Sequence, residues 1–162
     1  MRKKFNYIGP ELTIMSGLPR SGKTSWIEKN KRKSDIIISP DEIRKDIFGH
    51  QFHNNAECYV WSLTESFLII LMKQQKNIII DICGLNSYAR TKYHNLALKY
   101  GYNKKLIILN TSYTECVKRN KNSNADNKIP LRTLKSMHNM YSITKYNKLK
   151  NDEDFDIVSN VN

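Results

Sequence analysis

Gly17-Leu18-Pro19-Arg20-Ser21-Gly22-Lys23-Thr24 is a complete G-x-x-x-x-G-K-[ST] stretch, and its reading decides the fold. The apolar run Leu12 to Met15 before it reads as a strand, and Ser25-Trp26-Ile27-Glu28-Lys29 after it reads as a helix. Strand, loop, helix is the context this pattern needs. The glycines let the backbone curl so that successive N–H groups point at phosphate oxygens. Lys23 would reach the β- and γ-phosphates, and the Thr24 hydroxyl would ligate Mg²⁺. Residues Gly17 to Ser25 are therefore the expected site of ATP or another nucleoside triphosphate. A plain glycine-containing turn before a helix is the alternative, and the flanking strand and helix argue against it.

A chain of 162 residues can bury a proper core, and one domain over 1–162 is expected. Its 27 Lys and Arg against 15 Asp and Glu give a formal charge of +12. Such a balance favours a polyanionic partner such as nucleic acid, through phosphate neutralisation. The lysines are dispersed rather than blocked, so a solvated lysine-rich surface explains the charge equally well. Cys58, Cys83 and Cys116 stand far apart with no C-x-x-C pair. That gives neither a disulfide framework nor a zinc site, fits a reducing cytosol, and predicts buried cysteines that act as small apolar side chains. The basic start Met1 to Asn6 lacks the apolar stretch of a signal peptide, and no apolar run approaches a membrane span. A soluble, cytoplasmic protein with no membrane partner is expected.

Ile36 to Ile38, Ile78 to Ile80, Leu106 to Leu109 and Phe155 to Val158 read as further strands. Continuous apolar runs rather than alternation predict strands buried on both faces, hence a parallel sheet covered by helices. Helices are predicted over 22–30, 41–48, 56–74, 87–100, 113–120 and 131–146. The expected fold is a doubly wound α/β domain, mainly a five-stranded parallel sheet with helices on both faces. The polar stretch Asn120 to Lys128 reads as a mobile surface loop, and Pro130 starts the next helix where its missing N–H costs nothing.

In such sheets ligands sit at the carboxyl ends of the strands, so the residues just after each strand carry the functional expectations. After the second strand, Ser39 caps a helix, Pro40 takes its first position and Glu42 completes a capping box. Capping would account for Asp41 as well; the functional reading has Asp41 accept the proton of a hydroxyl that attacks the γ-phosphate. Arg44, on the same helical face, would pair with Asp41 or hold an anionic group of the acceptor. Asp81 follows the third strand as a Walker-B carboxylate would, near the loop's Mg²⁺ or Arg44. Asn86 and Arg90 open the next helix, where Arg90 faces either a phosphate or solvent. After the fourth strand Asn110-Thr111-Ser112 caps the helix that holds Val117-Lys118-Arg119-Asn120. Arg119, with Lys121 and Lys128 in support, would form an electropositive lid near 119–130 that stabilises charge on a transferring phosphoryl group. His50 and His53 lack further ligands at metal spacing and read as surface or packing residues. Trp26, Trp61 and most tyrosines read as core, with Tyr88 and Tyr93 as candidate base-stacking exceptions.

The order GLPRSGKTSW, SPDEIRKDIFG, IIIDICGLNSYAR, TECVKRN and IPLRTLKSMHNMY resembles the kinase domain of phage 5′-polynucleotide kinases. It is also similar to the wider group of small P-loop kinases that includes zeta-toxin-like and seryl-tRNA kinases. The resemblance implies Asp41 as general base, Arg44 on the acceptor phosphate with support from Asp81, and Lys23 and Thr24 on the triphosphate and Mg²⁺. Both roles of Asp41 can coexist, since Ser39 supplies the cap. In the phage enzymes the lid carries a second arginine shortly after the position of Arg119; here Asn122, Ser123 and Asn124 fill that stretch. There is no D-x-D-G-T, so no phosphatase domain is expected. Three readings follow: ATP-dependent phosphorylation of the 5′-hydroxyl of DNA or RNA; phosphorylation of a small molecule, nucleotide sugar or tRNA-linked amino acid; or a nucleotide-binding regulatory module without transfer.

Overall fold

The computed structural model describes residues 9–49, 54–85, 87–124, 128–141, 155 and 157–161. Strands β1 (Glu11–Ser16), β2 (Asp35–Ile38), β3 (Asn77–Ile80), β4 (Asn103–Leu109) and β5 (Ile157–Val161) form one parallel sheet in the order β2-β3-β1-β4-β5. Helices α1 (Lys23–Asn30), α2 (Pro40–Phe48), α3 (Glu57–Lys73), α4 (Ser87–Tyr100), α5 (Tyr113–Lys121) and α6 (Leu131–Met140) lie between the strands, and a short 3₁₀ turn (Asn54–Ala56) leads into α3. The expected parallel α/β sheet is present. No helix among the described residues is long and apolar enough to cross a membrane.

The apolar runs are continuous because both faces of the sheet are buried. Leu12, Ile14, Ile78, Ile80, Leu106 and Ile108 face a core completed by Leu68 and Met72 of α3 and Tyr93 and Ala97 of α4. The alternating residues Met15, Ile79, Ile107 and Leu109 face the other way, against Ile27 of α1. Tyr93 thus belongs to the core, and burial pushes its phenol up to about 12.

Three elements differ from the sequence reading by more than one residue. β4 begins at Asn103 because its polar start Asn103-Lys104-Lys105 continues the ladder beside Glu11 to Thr13. β5 runs Ile157–Val161 rather than Phe155 to Val158, since its register is set by pairing with Lys105 to Leu109. Phe155 instead packs edge-on to His94, with ring centroids 5.9 Å apart. Helix α6 ends at Met140, where Tyr141 leaves helical geometry; the remainder of the helix expected to residue 146 lies outside the described residues.

β1 sits at the centre, with its neighbours β3 and β4 reached through helices on the sheet's faces, so its carboxyl end is the topological switch point. The segment after β3 crosses that end at close quarters. Gly17 N–H donates to the Cys83 carbonyl at 2.9 Å, and Ser16 Oγ donates to the Gly84 carbonyl at 2.9 Å. Gly84 has φ +47°, and a Cβ there would lie 2.6 Å from the Met15 carbonyl oxygen. Only glycine lets the two backbones meet. Gly84→Ala is therefore expected to destabilise the domain by roughly 2 kcal/mol or more, the left-handed strain adding to a backbone overlap. Urea unfolding of the two proteins would measure it.

Candidate active site

The phosphate loop is shaped by left-handed residues: Gly17 at φ 148°, Arg20 at 67° and Gly22 at 99°. Such alternation turns consecutive N–H groups to one side and makes an anion cradle. A Cβ on Gly17 would lie 2.8 Å from Ser21 Oγ and 3.0 Å from the Leu109 carbonyl, so the cradle exists only with glycine there. Lys23 Nζ donates to the carbonyls of Gly17 at 3.1 Å and Leu18 at 2.9 Å, which folds its charge back over the loop. Ser21 Oγ is buried with no hydrogen-bond partner among the described residues. Thr111 Oγ1, just past β4, donates to the Ser21 carbonyl at 2.7 Å and fastens the loop from that side.

Thr24 Oγ1 donates to Asp81 Oδ2 at 2.9 Å. Asp81 is set there by its own backbone N–H, which donates to the Ile38 carbonyl at the end of β2 at 2.9 Å. Desolvation raises the Asp81 pKa above the ordinary carboxylate value. The Thr24 bond and the Lys23 charge oppose the rise, and the charges of Asp41 and Glu42 add to it. A hydroxyl and a carboxylate side by side next to a phosphate cradle fit Mg²⁺, which binds through one or two protein oxygens and takes the rest from water and phosphate. Among the described residues no group of three or more His, Cys, Asp or Glu is placed to hold a metal by itself. The orphaned Ser21 hydroxyl and the Gly17 cradle fit the triphosphate in the same way. Thr24 and Asp81 would hold the ion, Lys23 and the loop N–H groups the phosphates.

Helix α2 starts as its sequence predicts, with Glu42 N–H donating to Ser39 Oγ at 3.3 Å and Pro40 in the first turn. Asp41 projects from that turn with its side chain 88% exposed, and Arg44 Nη1 donates to its Oδ1 at 2.6 Å. The sequence reading missed the third member of this group. Glu57, in the first turn of α3, takes the other edge of Arg44 in a bidentate pair, 2.6 Å from Nε and 2.8 Å from Nη2. The Glu57 bonds are the main cause that raises the Arg44 pKa. Glu57 lies 13 residues from Arg44 across the turn into α3, and no local spacing announces the pair.

Arg119 donates through Nε to Glu115 at 2.8 Å and through Nη1 to the Arg20 carbonyl at 3.2 Å, which brings its guanidinium to the phosphate loop. Lys121 and Lys128 are exposed. Next to Arg119, Asn120 is buried and pairs with both backbone groups of Ile129: Nδ2 donates to its carbonyl at 2.8 Å, and Oδ1 accepts from its N–H at 3.0 Å. That clasp joins the two ends of the polar stretch. Sequence reading passed over Asn120 because a helix-end asparagine ordinarily faces water.

Other expected residues fall elsewhere. Arg90 is 1% exposed and its Nη1 donates to the Gly84 carbonyl, so it braces the crossing segment instead of facing phosphate or solvent at the surface. Asn86, His50 and His53 lie outside the described residues, as does the side chain of Tyr88. Cys116 is buried as expected, Cys83 partly so, but Cys58 is exposed because it sits on the outer face of α3. Trp61, expected in the core, is 42% exposed on the same helix.

A cavity of about 650 Å³ opens from Thr24, Asp41 and Asp81 and runs along β2. Ile36, Ile37, Phe67 and Ile70 also line it. Asp41 and Asp81 thus line a single space together with Thr24 of the phosphate loop.

A family model described as an AAA domain matches residues 12–143. Among solved structures, the chain superposes on a chain of the Pnkp1/Rnl/Hen1 RNA repair complex with a TM-score of 0.73 at 21% identity, over 95% of this chain and 50% of that one. On a chain from the PezAT chromosomal toxin–antitoxin system of Streptococcus pneumoniae the TM-score is 0.70 at 18% identity, over 98% of this chain and 69% of that one. On Chaetomium thermophilum Kti12 in complex with ADP-AlF3 it is 0.57 at 14% identity, over 81% and 80%. These likenesses concern the fold. The chain spans about half the length of the RNA-repair chain that it matches.

Two outcomes are expected from the site. Glu57→Ala leaves Arg44 short of its bidentate partner and is expected to cost about 2–3 kcal/mol in urea unfolding, somewhat less than a fully buried pair. For Asp81, a folded-state pKa above the unfolded value means that its ionised form lowers stability at neutral pH; the penalty vanishes as pH falls below the unfolded value. Asp81→Asn is therefore expected to raise the melting temperature at pH 7. The gain should vanish in acid, and the added stabilisation by Mg²⁺ with ATP should be lost in the same scans.

Proposed function

Because the chain belongs to the AAA domain family that matches its residues 12–143, we propose that it is a kinase that moves the γ-phosphate of ATP to a hydroxyl presented beside Asp41. One observation carries this reading: Thr24 and Asp81, bonded to each other beside the phosphate loop, and Asp41, paired with Arg44, line the same cavity. In phosphoryl transfer the protein acts by positioning and charge stabilisation. Lys23 and the loop N–H groups hold the triphosphate, and Arg119 approaches from the other side of the loop. Bound Mg²⁺ would neutralise charge on the phosphate oxygens. Asp41 accepts the hydroxyl proton, and Arg44, gripped by Glu57, keeps the Asp41 carboxylate in place.

Two acceptor classes have support. The 5′-hydroxyl of DNA or RNA is favoured by the formal charge of +12 and by the resemblance in motif order to polynucleotide kinases. A fold shared with a chain of an RNA repair complex is consistent with it. In that reading Arg44 binds an acceptor phosphate, which must compete with Glu57 and Asp41 for the guanidinium. A small acceptor is favoured by the cavity, whose volume of about 650 Å³ lies in the range of small-molecule sites, about 300–1,000 Å³.

Transfer of labelled γ-phosphate from ATP to a 5′-hydroxyl oligonucleotide and to a panel of small alcohols tests the reading. Asp41→Asn is expected to lower kcat by about 10²–10⁴-fold, the usual weight of a general base. Its stabilisation by ATP and Mg²⁺ should stay as in the parent protein. Full turnover in that variant would remove Asp41 from the chemistry.

A further inference from the structure

The cavity that opens at Asp41 contradicts the charge of the chain that contains it. Among the described residues its lining includes the carboxylates Glu28, Asp41, Glu42, Asp46 and Asp81, and no lysine or arginine. Some of this charge is met locally: Lys31 lies 2.7 Å from Glu28, and Arg44 lies 2.6 Å from Asp41. Arg44 is shared with Glu57, so that group keeps a net negative charge. Asp81 accepts from Thr24 and would be met by Mg²⁺ when the ion is bound. Glu42 and Asp46 have no ionic partner among the described residues. Although the chain as a whole carries +12, the described lining offers a ligand inside the cavity a negative wall.

The opposite part of the space is apolar. Ile36 and Ile37 of the edge strand form one side, and Phe67 and Ile70 of α3, 47% and 51% exposed, form the other. Exposed large apolar groups around a concave space next to a reactive centre mark a ligand's place more than a folding need. Resting on the kinase reading above, we infer that the acceptor is a small hydroxyl compound with an apolar body and a positively charged amine, rather than a polyanion. Its hydroxyl lies at Asp41, its amine faces Glu42 and Asp46, and its body lies on Ile36, Ile37, Phe67 and Ile70. The transfer balances simply: the acceptor oxygen bonds to the γ-phosphorus, the bond from that phosphorus to the bridging oxygen breaks, ADP leaves, and Asp41 takes the hydroxyl proton. A polynucleotide would bring phosphates against these carboxylates, where like charges repel.

A matched set of alcohols tests this directly. Phenylalaninol, 3-phenylpropan-1-ol and 3-phenyllactate share an apolar body and a hydroxyl, and at pH 7 carry positive, zero and negative charge. A short 5′-hydroxyl oligonucleotide serves as the polyanion. With labelled ATP and Mg²⁺, kcat/KM is expected to fall in the order amine, neutral, acid, with about tenfold or more between amine and acid. The oligonucleotide should fall at or below the acid. Glu42→Gln with Asp46→Asn, which removes both carboxylates facing the amine, should raise KM for the amine severalfold. Thermal stabilisation by the same alcohols with ADP present reads the charge order without turnover. An acid or oligonucleotide that equals or exceeds the amine, in rate or in stabilisation, overturns the inference, and so does an order untouched by the double substitution. Transfer to the oligonucleotide alone would overturn it while the kinase reading stands. Charge-ordered stabilisation with no transfer to any acceptor would support the cavity assignment and overturn the kinase reading.

Discussion

The carboxyl end of β1 is clamped by backbone contacts from both sides, and the rest of the site depends on that clamp. From the β3 side, the carbonyls of Cys83 and Gly84 receive Gly17 N–H and Ser16 Oγ. From the β4 side, Thr111 and Arg119 donate to the carbonyls of Ser21 and Arg20. A loop with residues at positive φ is costly to hold open, and these bonds supply the over-determination that keeps it in one shape. Arg90 serves the same end from beneath, since its buried guanidinium donates to the Gly84 carbonyl. The arginine that looked like a ligand for phosphate is a strut for the loop that would bind phosphate.

The second organising feature is how charge is divided. The chain as a whole is basic, and the donor loop gathers Lys23 and Arg119 where phosphate charge would develop. On the other side of Thr24 the sign reverses, and the cavity along β2 is lined by carboxylates above an apolar floor. Arg44 lies between the two regions, yet it is held by carboxylates on two of its edges. A guanidinium so held orients Asp41 well and has less to offer to an anion from outside. Net charge describes long-range attraction; the sign of the wall at contact distance decides what is accepted.

Much of the fold was legible because a parallel sheet covered on both faces demands continuous apolar strands. Ile36 to Ile38, Ile78 to Ile80 and Leu106 to Leu109 could serve as little else. What escaped was polar backbone recruited by pairing, as in Asn103 to Lys105 and in Ser159 and Asn160 of the edge strand, where a neighbour's ladder outweighs side-chain pattern. The donor half of the site was legible for a related reason. Glycine spacing, Lys23 and Thr24 are local in sequence, and loop geometry follows from local conformational freedom.

The sequence by itself determined the phosphate loop, the capped start of α2 that carries Asp41 and Arg44, and a parallel sheet to hold them. These rest on neighbours within a few residues or on the burial of whole runs. Only the tertiary structure decided that Glu57 grips Arg44, that Asn120 clasps Ile129, that Arg90 is a buried brace, and that carboxylates from α1, α2 and the end of β3 line one cavity. Each of these joins groups from separate elements, and the distances between them come from helix packing and sheet order, which no local spacing encodes.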